Sequence, residues 1–158
     1  GGRSTSAGGG LTKDSWEKLA ALRAVYDGYL EGYRQRQIEN GPFHGLQKFL
    51  LGNMPASDRK ADNAFFKAVQ QAVADLEQAL ADDPGPAAPA VRLMILEAEG
   101  PDSTSDLMIA AVQALAIPLV PHLSEGGRAE ILAAYRARYP KKRMLSPRQR
   151  ELLEELEK

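Results

Sequence analysis

The chain has 158 residues, of which 44% are hydrophobic and 26% charged, with a formal net charge of −1. That balance suits one compact domain able to bury a core, and it excludes a wholly disordered chain or a polyanion binder acting through global charge. There is no cysteine and only two histidines, His44 and His122, which rules out disulfide scaffolds, thiolate nucleophiles and cysteine-containing or multi-histidine metal centres.

Composition also sets the class. Alanine (24) and leucine (20) far outnumber valine (6), isoleucine (5) and threonine (3). Alanine and leucine lose little rotamer freedom in a helix, whereas β-branched side chains favour strands. The expectation is an all-α, single-domain helical bundle of five to seven helices with no sheet. No apolar run approaches the roughly 20 residues that span a bilayer. With no apolar leader visible either, the expected setting is cytoplasmic, soluble and away from membranes.

In chain order, residues 1–10 (GGRSTSAGGG) are rich in glycine and serine and read as a disordered linker or a fusion scar, with the helical domain following over 11–158. A first helix is expected from Lys13 to about Glu39, capped by Thr12, with Leu11 and Trp16 placed to form a hydrophobic staple. Its apolar positions (Trp16, Leu19, Leu22, Val25/Tyr26, Tyr29/Leu30, Tyr33 and Ile38) recur in steps of three and four along one face. Gly28 and Gly32 inside it suggest close approach of a neighbouring helix, and Gly41-Pro42 should end it. Residues 43–53 read as one or two turns on the core. Ser57 caps a helix expected over 58–81, with Phe65, Phe66, Val69, Val73, Leu76 and Leu80 as its buried stripe.

The segment DDPGPAAPA (82–90) reads as a stiff linker and a candidate subdomain boundary. VRLMILEAE (91–99) is too continuously apolar for periodicity to separate strand from helix; with no second strand to pair with, helix is expected. Ser103 and Asp106 fit a capping box opening a helix to about Ile117, which Pro118 and Pro121 then break. Another helix is expected over Glu125–Tyr139. Ser146-Pro147-Arg148-Gln149 combines an N-cap, proline at the first helical position and glutamine at the third, a strong start signal for a last helix to Lys158.

Motifs that carry chemistry are scarce. Neither histidine lies in a G-x-S-x-G or H-E-x-x-H pattern, no glycine-rich loop has the lysine of a phosphate cradle, and Asp102–Asp106 lacks the turn glycine and bidentate glutamate of a calcium loop. No catalytic residue, cofactor or metal is therefore expected. What stands out is charge segregation. Arg128 to Arg150 carries eight basic residues and one acid, while Asp75 to Asp102 carries seven acids and one arginine. The basic strip, with Arg128, Tyr135, Arg136, Arg138, Tyr139, Lys141, Lys142 and Arg143 as candidate partner-binding residues, interleaves tyrosines with cations, as surfaces that contact phosphates and stack bases do. The reading is a non-catalytic interaction or adaptor module, a piece of a larger bacterial-type protein, binding another protein with an acidic surface. The alternative is a nucleic-acid-associated helical protein using the 128–150 strip, and behind it a small-molecule binder or an enzyme without recognisable motif.

Overall fold

The computed structural model describes residues 7–41, 56–98 and 106–158. They form an all-α single domain: α1 (Ala7–Asn40), α2 (Ala56–Ala79), α3 (Ala87–Arg92), α4 (Asp106–Ala114), α5 (Glu125–Arg138) and α6 (Pro147–Glu157), with no strand among the described residues. A single π-helical turn (Leu93–Glu97) continues α3, and 3-10 turns at Ile117–His122 and Lys142–Met144 join the C-terminal helices. The readings of residues 1–6, of the 43–53 turns with His44, and of the Ser103 cap fall outside the described residues.

The longest contact is between α1 and α2, which run antiparallel. Trp16 meets Asp83 in the turn after α2, Tyr26 meets Phe65 and Tyr29 meets Asp62, so positions rising along α1 pair with positions falling along α2 and its exit. The facing stripes are those the periodicity indicates: Leu19, Leu22 and Tyr26 from α1, and Phe65, Val69, Val73 and Leu76, with Leu80 just past the end of α2. Two aromatic positions differ from expectation. Phe66 is half-buried and outside the core cluster of the described residues, one step off the stripe that Phe65 and Val69 define. Trp16 is 44% exposed: its indole N–H donates to Asp83 Oδ2 at 3.2 Å, and its ring lies so near Gly85 that a Cβ there would approach within 3.1 Å.

The start of α1 also differs. The helix begins at Ala7, not Lys13, so Thr12 lies inside it and is no N-cap, and the helix has no entry at that point. Once a packed turn exists, adding residues upstream needs no new nucleus, so glycines 8–10 extend it despite their low propensity. Its end is as read: Gly41 takes φ +77, and its N–H donates to Gln37 C=O at 2.9 Å. The interior glycines are not contact points. A Cβ on Gly28 would meet nothing within 4 Å, and one on Gly32 would meet only the Arg36 side chain of the same helix. Gly28→Ala should therefore raise stability by about 0.5–1 kcal/mol through the backbone entropy of the unfolded chain, visible as a higher urea midpoint at unchanged slope.

Residues 82–90 are not a boundary. Asp83 Oδ1 accepts the Gly85 N–H at 2.9 Å, Pro86, Ala87 and Ala90 are buried, and α3 starts at once. The prolines and alanines contribute packing surface, and one core runs from Leu19 to Leu156 across the segment. In the C-terminal half α6 packs against both α4 and α5, and the Ile117–His122 turn packs against α3 and α6. The α6 start is as the sequence indicates: Ser146 Oγ accepts from Gln149 N at 3.2 Å and Gln149 Oε1 accepts from Ser146 N at 3.0 Å, a reciprocal capping box with Pro147 at the first helical position.

Candidate interaction surface

The basic strip separates into a buried part, a committed part and an open part. Tyr135 follows Ile131 by four residues on α5, so both face the core, and both are 0% exposed. Tyr135 is therefore a core residue and not a surface contact. Its hydroxyl donates to Gln113 Oε1 at 2.8 Å, and burial pushes that hydroxyl above the ordinary phenol range. Tyr139 is half-buried, its ring 4.9 Å from that of Tyr135, and its oxygen accepts from Gln113 Nε2 at 3.0 Å.

Gln113 Oε1 also accepts from Gln149 Nε2 at 3.1 Å. One amide on α4 thus ties α5 and α6 together, in a network that motif reading did not find. The available signal was a lone glutamine inside the apolar run 107–117, where a polar side chain must find partners. Asp62 is a second case. It falls in register with the apolar stripe of α2, is 6% exposed, and accepts from the Tyr29 hydroxyl at 2.5 Å while the Tyr29 ring stacks on Phe65.

Two of the three arginines of α5, Arg136 and Arg138, are engaged within the domain. Arg136 reaches Glu157 at 2.7 Å, and Arg138 donates to the Leu96 carbonyl at 3.2 Å with its guanidinium 5.8 Å from the Tyr139 ring centre. Arg128 is half-buried, its Nε out of water and without a hydrogen-bond partner among the described residues. Further along, Arg148 pairs with Glu151 at 2.9 Å and Arg150 donates to the Arg143 carbonyl at 3.4 Å. Exposed pairs such as these contribute at most about 1 kcal/mol, yet they occupy the donors.

Lys141, Lys142 and Arg143 remain. All three are exposed, and their side chains have no hydrogen bond or ion pair among the described residues. Their backbone is fixed at both ends. On one side Tyr139 is anchored on Gln113 and followed by Pro140; on the other, Leu145 is buried at 3% exposure and Ser146 opens the capping box. Between them, Met144 N–H donates to Lys141 C=O at 2.9 Å and Leu145 N–H to Lys142 C=O at 3.1 Å, while the Met144 side chain is 75% exposed. Three cations and one flexible thioether are thus held on a preformed turn.

Elsewhere little chemistry converges. His122 ends the Ile117–His122 turn with Nε2 3.8 Å from Glu77 Oε2, and no metal-ligating cluster is found among the described residues. No described helix is long and apolar enough to cross a membrane. Comparison with protein-family models, curated proteins and solved structures gives no match.

Proposed function

We propose that the chain is a non-catalytic interaction module that docks an acidic segment of another protein on the Lys141–Met144 turn. The observation that carries this reading is a cationic triplet, unpaired among the described residues, on a backbone fixed at both ends. Side chains there lose rotamer freedom on binding, but the turn itself needs no further ordering, which lowers the cost of association. Met144 adds an adaptable apolar contact beside the charges. The nucleic-acid reading rested on tyrosines interleaved with the cations. It loses that support, since Tyr135 lies in the core and Tyr139 is engaged with Gln113.

A triple variant, Lys141→Ser/Lys142→Ser/Arg143→Ser, tests it by fluorescence anisotropy with a labelled oligo-glutamate peptide and with an oligothymidylate of equal charge. The wild type should bind the peptide in a salt-sensitive way, and the variant should bind it about tenfold or more weakly, since three exposed charge pairs at about 0.5–1 kcal/mol each are lost together. The unfolding midpoint should stay unchanged, because exposed substitutions usually move stability by less than about 0.5 kcal/mol. Preference for the oligothymidylate, with a log–log salt slope that falls by about one for each phosphate contact removed, would replace this reading with the nucleic-acid one. Absence of salt-dependent binding to either would leave the turn as solvated surface.

A further inference from the structure

Away from the basic turn, a cavity of about 200 Å³ lies between α1, α2, the π-helical turn and α4. Its walls are largely apolar: Phe65 comes from α2, Leu93 and Met94 from the π turn, and Met108, Ile109 and Val112 from α4. An apolar cavity of roughly 150 Å³ is enough to take up benzene, so this one has room for a single ring with a short substituent. The two methionines are unbranched and polarizable, and their sulfurs suit an aromatic guest.

The π-helical turn is the second observation. Ala98 N–H donates to Leu93 C=O at 2.9 Å, and the wider coil that this bond closes brings Leu93, Met94 and Glu97 of one turn to the same cavity. Single π turns inside helices occur disproportionately at functional sites.

The charges around the cavity have one sign. Asp27 of α1 and Glu97 of the π turn are among its lining residues, and no described lysine, arginine or histidine is. Arg138, which donates to the carbonyl of Leu96 beside Glu97, does not line it. Both acids are exposed, and neither side chain has a hydrogen bond or ion pair among the described residues. Being exposed, they belong to the water-facing side of the cavity and not to its apolar interior. Their joint field favours a cation at the mouth and disfavours an anion, whichever way each carboxylate turns.

We propose that the cavity binds a small arylalkylamine, with one aromatic ring enclosed by the apolar walls and a protonated amine on a short tether held at the mouth by the field of Asp27 and Glu97. The walls supply affinity by excluding the ring from water, and the two carboxylates supply the choice of charge. The site shares no residue with the basic turn.

The test measures dissociation constants by ligand-detected NMR on the whole chain for phenethylamine, for its neutral isostere phenethyl alcohol and for the anion phenylacetate. At low ionic strength the wild type should bind the amine about fivefold more tightly than the alcohol, the ratio expected of two exposed charge contacts, and should bind phenylacetate more weakly than either. In about 1 M salt, where the screening length is roughly 3 Å, the amine and the alcohol should bind nearly equally. The double variant Asp27→Asn/Glu97→Gln changes only exposed side chains, so it should keep the affinity for the alcohol and abolish the preference for the amine at low salt. Ile109→Trp, which fills the space from a half-buried lining position, should remove binding of both. Lys141→Ser/Lys142→Ser/Arg143→Ser should bind the amine as the wild type does, which separates this site from the basic turn. The proposal fails if neither the amine nor the alcohol binds the wild type, if the alcohol or phenylacetate binds as well as the amine at low salt, if the preference survives loss of both carboxylates, or if the filled variant still binds. Thermal unfolding of each variant establishes that it is folded, and the order amine, alcohol, phenylacetate in the wild type decides the matter without them.

Discussion

Gln113→Leu should destabilise the domain by about 2–5 kcal/mol in urea unfolding, although it replaces a polar side chain by an apolar one of similar size. The amide is 4% exposed and meets three partners, from α5, the residue that follows it, and α6: Tyr135 Oη at 2.8 Å, Tyr139 Oη at 3.0 Å and Gln149 Nε2 at 3.1 Å. Leucine leaves the Tyr135 hydroxyl fully buried without an acceptor and strips Gln149 of its interior acceptor, each worth about 1–3 kcal/mol. Tyr139, half-buried, contributes less. The same logic gives the control. Tyr135→Phe in the Gln113→Leu background removes the stranded hydroxyl, so the double variant should be more stable than Gln113→Leu alone, a coupling of about 0.5–3 kcal/mol. A Gln113→Leu cost below about 0.5 kcal/mol would mean that the amide does not hold the three helices together.

Phe65→Ala should cost about 3–5 kcal/mol. Phe65 is 9% exposed and is the hub of the α1–α2 contact, with Tyr26 edge-on at 5.1 Å and Tyr29 stacked at 4.1 Å. Truncation removes both ring contacts at once and enlarges a cavity that already exists beside it, so collapse cannot refill the space. Phe66→Ala, from the half-buried neighbour outside the cluster, should cost distinctly less. Equal losses at the two positions, or a loss below about 1 kcal/mol at Phe65, would contradict the register of α2 on α1.

The parts of this fold that were legible in the sequence are those governed by chemistry within a few residues. The stripe Phe65, Val69, Val73, Leu76 follows from helical spacing alone, and the Ser146 cap from side chains three positions apart. Features that depend on where distant segments meet were not legible. Nothing local to 91–99 shows that Leu93, Met94 and Ile95 can all be buried in succession; a widened π turn inside the core achieves it, and the same continuous apolar run made the segment look equally strand-like. Tyr135 resembled an exposed aromatic among arginines, but its distance of four residues from Ile131 places it inward, and a glutamine 22 residues away satisfies it. The proline-rich 82–90 stretch has a linker's composition, yet Trp16 and the start of α3 make it part of the packed body. Within the basic strip, the exposure of 141–143 was legible because a cationic turn too polar to bury is settled by its own composition. The fate of the arginines on α5 depended on acids and carbonyls contributed by other elements.

The placement of Trp16 has an optical consequence. It is the chain's only tryptophan, and it sits at the outer edge of the α1–α2 pair, latched to Asp83 and resting on Gly85, instead of in the core. Its emission therefore follows the opening of that latch, while circular dichroism follows the helices themselves. Red-shifted fluorescence with undiminished ellipticity would mark a molecule whose 82–85 turn has swung away from an intact bundle, so a fluorescence midpoint measures a local door and not the collapse of the house.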